Sequence, residues 1–199
     1  MFLIRIFTGS VVGIIFGLIS GLLLLVIILA AVIVALSATG GPSECTPGGG
    51  PIAISGANST GFQSKWDAFQ ATLDGGTASS VNFSESEISS RAQSYVDEQD
   101  APFSDVRACV QDGYGEGTAR FSVLGIDVKL KVRGTLDLSG SSPEAQIDDI
   151  EIGNVPGFLT APVEALVDRA IEDALSDLEI DHDYTLTLKK GEASVAGTP

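Results

Sequence analysis

From Val11 to Leu36 the chain is an almost unbroken run of Val, Ile, Leu, Phe, Ala and Gly, and no charged residue stands between Arg5 and Glu44. At about 1.5 Å of rise per residue, such a run outreaches the roughly 30 Å hydrocarbon core of a bilayer. It predicts a transmembrane helix within residues 1–38. The competing reading is a cleaved signal peptide ending at the small residues Ala35 and Ser37, although the apolar part of such peptides is only about 7–15 residues long. Arg5 is the one basic side chain ahead of the span, and Lys65 is the next. That bias predicts the N terminus inside and the bulk of the chain outside the cytoplasm, a single-pass protein of the cell membrane.

The pattern then turns polar. Residues 39–61 are rich in Gly, Ser, Pro and Thr, including Gly48-Gly49-Gly50-Pro51, and read as a flexible stalk before a domain at 62–199. Phe62, Trp66, Phe69 and Leu73 share one face of a short helix that Gly75-Gly76 ends. After a short strand at Val81-Asn82-Phe83, Ser84 and Glu87 have the spacing of a capping box. The helix they start should turn Ile88, Ala92, Tyr95 and Val96 inward and stop near Pro102. The period next becomes two. Val106, Ala108 and Val110, then Ala119, Phe121 and Val123, predict a hairpin around Asp112–Gly115. Ile126, Val128, Leu130, Val132, Gly134, Leu136 and Leu138 share one face of a long strand, and Asp127, Lys129, Lys131, Arg133, Thr135 and Asp137 share the other. A strand follows from Gln146 to Ile152. Apolar residues at helical spacing from Pro162 to Leu178 predict an amphipathic helix, and the chain closes on a hairpin turning at Lys189–Glu192. The expected fold class is α+β: an N-terminal transmembrane helix, then a curved, largely antiparallel sheet packed on the long amphipathic helix.

Charge narrows the function. With 26 acidic against 11 basic residues, the surface repels nucleic acid and anionic lipid headgroups. Cys45 and Cys109 form one bridge in an oxidising compartment or remain two thiols, since spacing alone gives no distance between them. Two cysteines and one histidine are too few for a Cys/His zinc site. Asp181-His182-Asp183 suggests acid/base or metal chemistry, but in an extended segment the two carboxylates point away from the imidazole. Asp148-Asp149-Glu151 and Asp112–Glu116 lack the ligand spacing of a calcium loop. No nucleophile elbow or phosphate loop is present, so no catalytic residue, cofactor or metal is expected and the chain reads as a non-enzyme.

Three segments carry a resemblance: Val81–Ile88, Ile150–Pro156 with the helix after it, and Leu186–Pro199. They resemble bacterial membrane-anchored envelope proteins whose domain is similar to the tubular lipid-binding (TULIP-like) proteins. The resemblance covers roughly residues 62–199 and implies a groove for lipid or another apolar ligand. The apolar positions for such a groove are Phe121, Ile126, Val128, Leu130 and Val132 on the strands and Val163, Leu166, Val167 and Ile171 on the amphipathic helix. The alternative function is a structural or protein-interaction component of the envelope without a ligand, docking through its acidic face or the Phe62–Leu73 helix.

Overall fold

The computed structural model describes residues 41–101, 103–123, 126–138, 144–153 and 182–199. The expected span in residues 1–38 and the segment from Pro162 to Leu178 lie outside them. Among the described residues no helix is long and apolar enough to cross a membrane. In order come α1 (Gly56–Asp74), β1 (Ser79–Ser84), α2 (Glu85–Glu98), β2 (Phe103–Gln111), β3 (Tyr114–Val123), β4 (Ile126–Asp137), β5 (Glu144–Ile152), β6 (Asp183–Lys189) and β7 (Glu192–Thr198).

Every strand pairing is antiparallel, and the strands divide into two sheets, β1-β7-β6 and β2-β3-β4-β5. The expected α+β architecture, one curved sheet packed on a long amphipathic helix, is thereby corrected: the described fold is mostly antiparallel sheet, neither sheet is curled, and its two helices precede the meander. The physical reason is that a period of two assigns faces to a strand but not partners. The terminal hairpin takes β1 as its third strand, with Phe83 opposite Ala193 and Val81 opposite Val195. Irregularity in the larger sheet is taken up by bulges instead of curvature. One lies between Ser104 and Arg107, where Asp105 has φ 52°, and another between Arg133 and Gly134. At Gly134 a Cβ would sit 2.4 Å from the Gln146 carbonyl oxygen, so only glycine fits the bulge.

Local signals fix the helices. Ser55 caps α1, its Oγ accepting from the Asn58 N–H, and α1 stops at Gly75, followed by Gly76 at φ 78°. Both halves of the capping box form at α2: Ser84 Oγ accepts from the Glu87 N–H and the Glu87 carboxylate accepts from the Ser84 N–H. The stripe on α1 packs on the three-stranded sheet, where Phe69, Leu73, Phe83, Tyr184 and Val195 form a buried cluster flanked by Phe62 and Trp66. Phe62 stacks on Phe83 with ring centroids 4.2 Å apart.

The register of the larger sheet places Phe103, Phe121 and Val128 in one row, Ala119, Leu130 and Ile152 in the next, and Gly117, Val132 and Ile150 in a third. Phe121, Val128 and Leu130 are the buried centre of this face. The opposite face is polar but not simply wet. Lys131 Nζ lies 3.4 Å from Glu116 and 3.8 Å from Glu151, with only 15% of its side chain exposed. Lys131→Asp would set three carboxylates against one another in a half-desolvated site. We expect it to cost about 1–3 kcal/mol, more than the half kcal/mol usual for surface changes. Urea denaturation of Lys131→Asp beside Lys131→Gln checks this, since only the former adds repulsion.

Candidate functional site

Residues 41–55, the larger part of the expected flexible stalk, lie against the domain as a strap, and α1 begins at Gly56, ahead of the expected domain start. Cys45 Sγ and Cys109 Sγ are bonded at 2.02 Å, joining the strap to β2. Around that bridge the Gln111 amide donates to the Thr46 carbonyl at 2.7 Å, and Arg107 lies 3.7 Å from Glu44. The strap's glycines serve close approach, not freedom. Gly191, at φ 85° in the turn between β6 and β7, donates its N–H to the Val110 carbonyl at 2.9 Å, and a Cβ on Gly48 would meet the Gly191 nitrogen at 2.4 Å.

Glu85 is the centre of this junction. It is the first residue of α2 and only 3% exposed. Its Oε1 accepts from Gly48 N–H and Val110 N–H, both at 2.8 Å, and its Oε2 accepts from Gly49 N–H at 2.9 Å. A carboxylate at a helix N terminus also meets the positive end of the macrodipole, which compensates part of its desolvation. Strap, helix and edge strand are thus held by one side chain.

The rest of α2 repeats the device. β2 is an edge strand, and its outward N–H groups would be free to pair with another chain. Three helix side chains four residues apart take them: Glu85 accepts from Val110, Ser89 Oγ from Ala108 at 2.9 Å, and Gln93 Oε1 from Val106 at 2.9 Å. The match is geometric, since four helical residues rise about 6 Å and two strand residues about 6.6 Å. A second row faces the strap and α1. Ser86 accepts from Ala53 N–H, Ser90 from Ser55 N–H, and Ser94 donates to Ser59 Oγ. The buried residues of α2 are therefore Glu85, Ser89 and Ser90, whereas Ile88, Ala92, Tyr95 and Val96, expected to face inward, are only partly buried.

Glu87 has a pKa below its ordinary value. Burial raises it, but the Lys65 hydrogen bond, the Ser84 N–H and hydroxyl bonds and the Lys65 charge together outweigh that effect. A lowered folded pKa gives a contribution that is complete above the unfolded value, about 4.3, and lost as pH falls through the folded value. Glu87→Gln should therefore lower Tm at pH 7, with the gap to the parent closing below about pH 4. Thermal melts across that range test it, and a gap independent of pH would refute it.

The residues expected to form a ligand groove divide. Phe121, Val128 and Leu130 share one buried cluster with Val132 packed on it, and Ile126 opens β4. Val163, Leu166, Val167 and Ile171 lie outside the described residues. His182 Nε2 lies 3.0 Å from Asp74 Oδ1, an ion-pair geometry with α1 that the local Asp-His-Asp pattern does not reveal. Asp181 lies outside the described residues and Asp183 is exposed on β6. Asp112 Oδ1 accepts from the Lys190 N–H at 3.0 Å, locking two turns together. Asp148, Asp149 and Glu151 are exposed on β5. Among the described residues no group of three or more His, Cys, Asp or Glu side chains could hold a metal ion. No protein-family profile, no curated protein and no solved structure matches this chain.

Proposed function

We propose that this is a membrane-anchored domain, held outside the cytoplasm, that serves as a structural component of the cell envelope without a bound ligand. The carrying observation is the strap: residues 41–55, next to the apolar run in sequence, are bonded along α2 and joined to β2 by the Cys45–Cys109 bridge. Disulfides persist in oxidising compartments, which supports a location outside the cytoplasm. A short docked tether fixes the height of the domain above a membrane, as a spacer or platform requires.

The apolar-ligand reading has less support. A cavity fit for an acyl chain would leave its lining bare, yet Phe121, Val128 and Leu130 are 1%, 6% and 6% exposed. Alkylation of the full chain in intact cells, before and after reduction under denaturing conditions, tests the proposal together with native mass spectrometry of the purified protein. Blocked thiols until reduction, and no stoichiometric lipid retained, are expected. Free thiols in cells would remove the extracytoplasmic assignment, and a retained acyl ligand would restore the groove.

A further inference from the structure

We propose that the junction of Gly48, Gly49, Glu85 and Gly191 is a gate on the Cys45–Cys109 bridge: a dithiol reductant reaches the sulfurs only after these groups part. Cys45 is 6% and Cys109 1% exposed, so an attacking thiolate has no path to either sulfur while the strap is seated. Something must move, and β2 is held on both sides. Cys109 lies opposite Glu116 of β3, and on the other edge Ser89 and Glu85 of α2 hold the N–H groups of Ala108 and Val110. The strap is therefore the part that yields, and its grip is uneven. Before Cys45 stands the Glu44–Arg107 pair, 3.7 Å apart with side chains 55% and 39% exposed, an arrangement worth little in water. After it, Gly48 and Gly49 donate to the buried Glu85 carboxylate, charge-assisted bonds shielded from solvent. The free energy of lifting the strap is set at the junction.

The junction engages both segments that carry the sulfurs. Gly48 is three residues beyond Cys45, and Val110, next after Cys109, gives its N–H to Glu85 and accepts at its carbonyl from Gly191 N–H at 2.9 Å. Gly191 closes the strap in from the far side, where a Cβ on it would meet Gly49 N at 2.5 Å and Gly49 Cα at 2.6 Å. The β6–β7 turn is itself pinned to the β2–β3 turn: Gly113 N–H donates to the Leu188 carbonyl at 3.1 Å, and Lys190 N–H to Asp112 Oδ1 at 3.0 Å. Access to a bond made by the strap is thus governed by a hairpin late in the sequence. Once the junction parts, one thiolate of the dithiol attacks either sulfur and expels the other as a thiolate, and the second thiol then displaces the mixed disulfide. Two electrons and two protons pass from the dithiol, which becomes a disulfide, to Cys45 and Cys109, which become thiols. Release is ordered, junction first and bridge second, on whichever side of a membrane the domain resides.

The purified full chain in detergent would be reduced with excess dithiothreitol, quenched at intervals with a maleimide and scored by mass, beside the same chain unfolded in urea. Folding should slow reduction by the same factor as it slows hydrogen exchange at the Gly48 and Gly49 amides. A much smaller factor would mean that the sulfurs are reached without parting the junction, a much larger one that they stay covered after it parts, and either overturns the gate. Glu85→Gln should speed reduction at least about tenfold, because it weakens the acceptor of three N–H groups. Gly191→Ala, which drives a Cβ into Gly49, should do likewise. Glu44→Gln should leave the rate unchanged, as should Gly76→Ala, which adds a Cβ at φ 78° with no described atom within 4 Å. Gly76→Ala imposes a similar backbone cost away from the strap, so acceleration equal to that of Gly191→Ala would show that reduction waits on global unfolding and would refute the gate. Equal acceleration by Glu44→Gln would refute it too, by moving the barrier to the other side of Cys45. The amide comparison uses the parent chain alone and decides the matter even where a variant fails to fold.

Discussion

Glu85→Ala is expected to remove about 4 kcal/mol of stability. Three backbone N–H groups lose their acceptor, and each such loss costs about 1–3 kcal/mol when the donor stays buried. Val110 is buried, so its N–H has no route to water, whereas Gly48 and Gly49 can regain solvent if the strap lifts. The estimate therefore sits below the sum of three full losses. Against a margin of about 5–15 kcal/mol, this is the difference between a stable domain and a marginal one. Glu85→Gln keeps the shape but opposes an amide N–H₂ to a backbone N–H, and we expect about half that loss. Trp66 is the chain's one tryptophan and packs on the first core, so its fluorescence during denaturation of the full chain in detergent reports the transition. A cost under about 1 kcal/mol for Glu85→Ala would show that the junction is not held by this carboxylate.

The second large effect is expected on opening the bridge. Cys45 and Cys109 are 64 residues apart in sequence, and closing a loop of that length lowers the entropy of the unfolded chain by about 4 kcal/mol at 25 °C. Cys45→Ala with Cys109→Ala should lose close to that amount, with the slope of free energy against urea rising as the unfolded chain becomes less compact. Because Glu85 grips the strap three residues further on, this variant should still fold. Hydrogen exchange should rise first at residues 41–47. If exchange instead rises uniformly over α1 and α2, the bridge is part of the core's cooperativity and not a clamp on the strap.

Much of the local structure was readable from residue order. The Phe62–Leu73 stripe, the Ser84/Glu87 box and the alternation of β4 each follow from short-range geometry that sequence spacing encodes directly. What escaped is long-range or polar. That β1 pairs with β7 and not with the meander depends on contacts across the whole domain. The buried side of α2 departs from the apolar stripe because what it buries is hydrogen-bonding side chains, Glu85, Ser89 and Ser90. Its two rows, Glu85-Ser89-Gln93 and Ser86-Ser90-Ser94, do repeat every four residues, but in acceptors, and they acquire meaning only when an edge strand and a strap lie alongside. In the same way Gly48-Gly49 reads as slack chain until the carboxylate it surrounds is known. The two cysteines could be counted but not paired, since the sequence carries no distance.

The bridge also determines how the domain would bear a mechanical load. A pull applied at residue 41 travels four residues and then crosses at Cys45 into β2 at Cys109, bypassing α1, β1 and α2. The intervening chain, whose contour would be about 200 Å if drawn out, stays slack under tension for as long as the sulfurs remain joined. Both helices hang beside the load path, and the force is carried into the four-stranded meander.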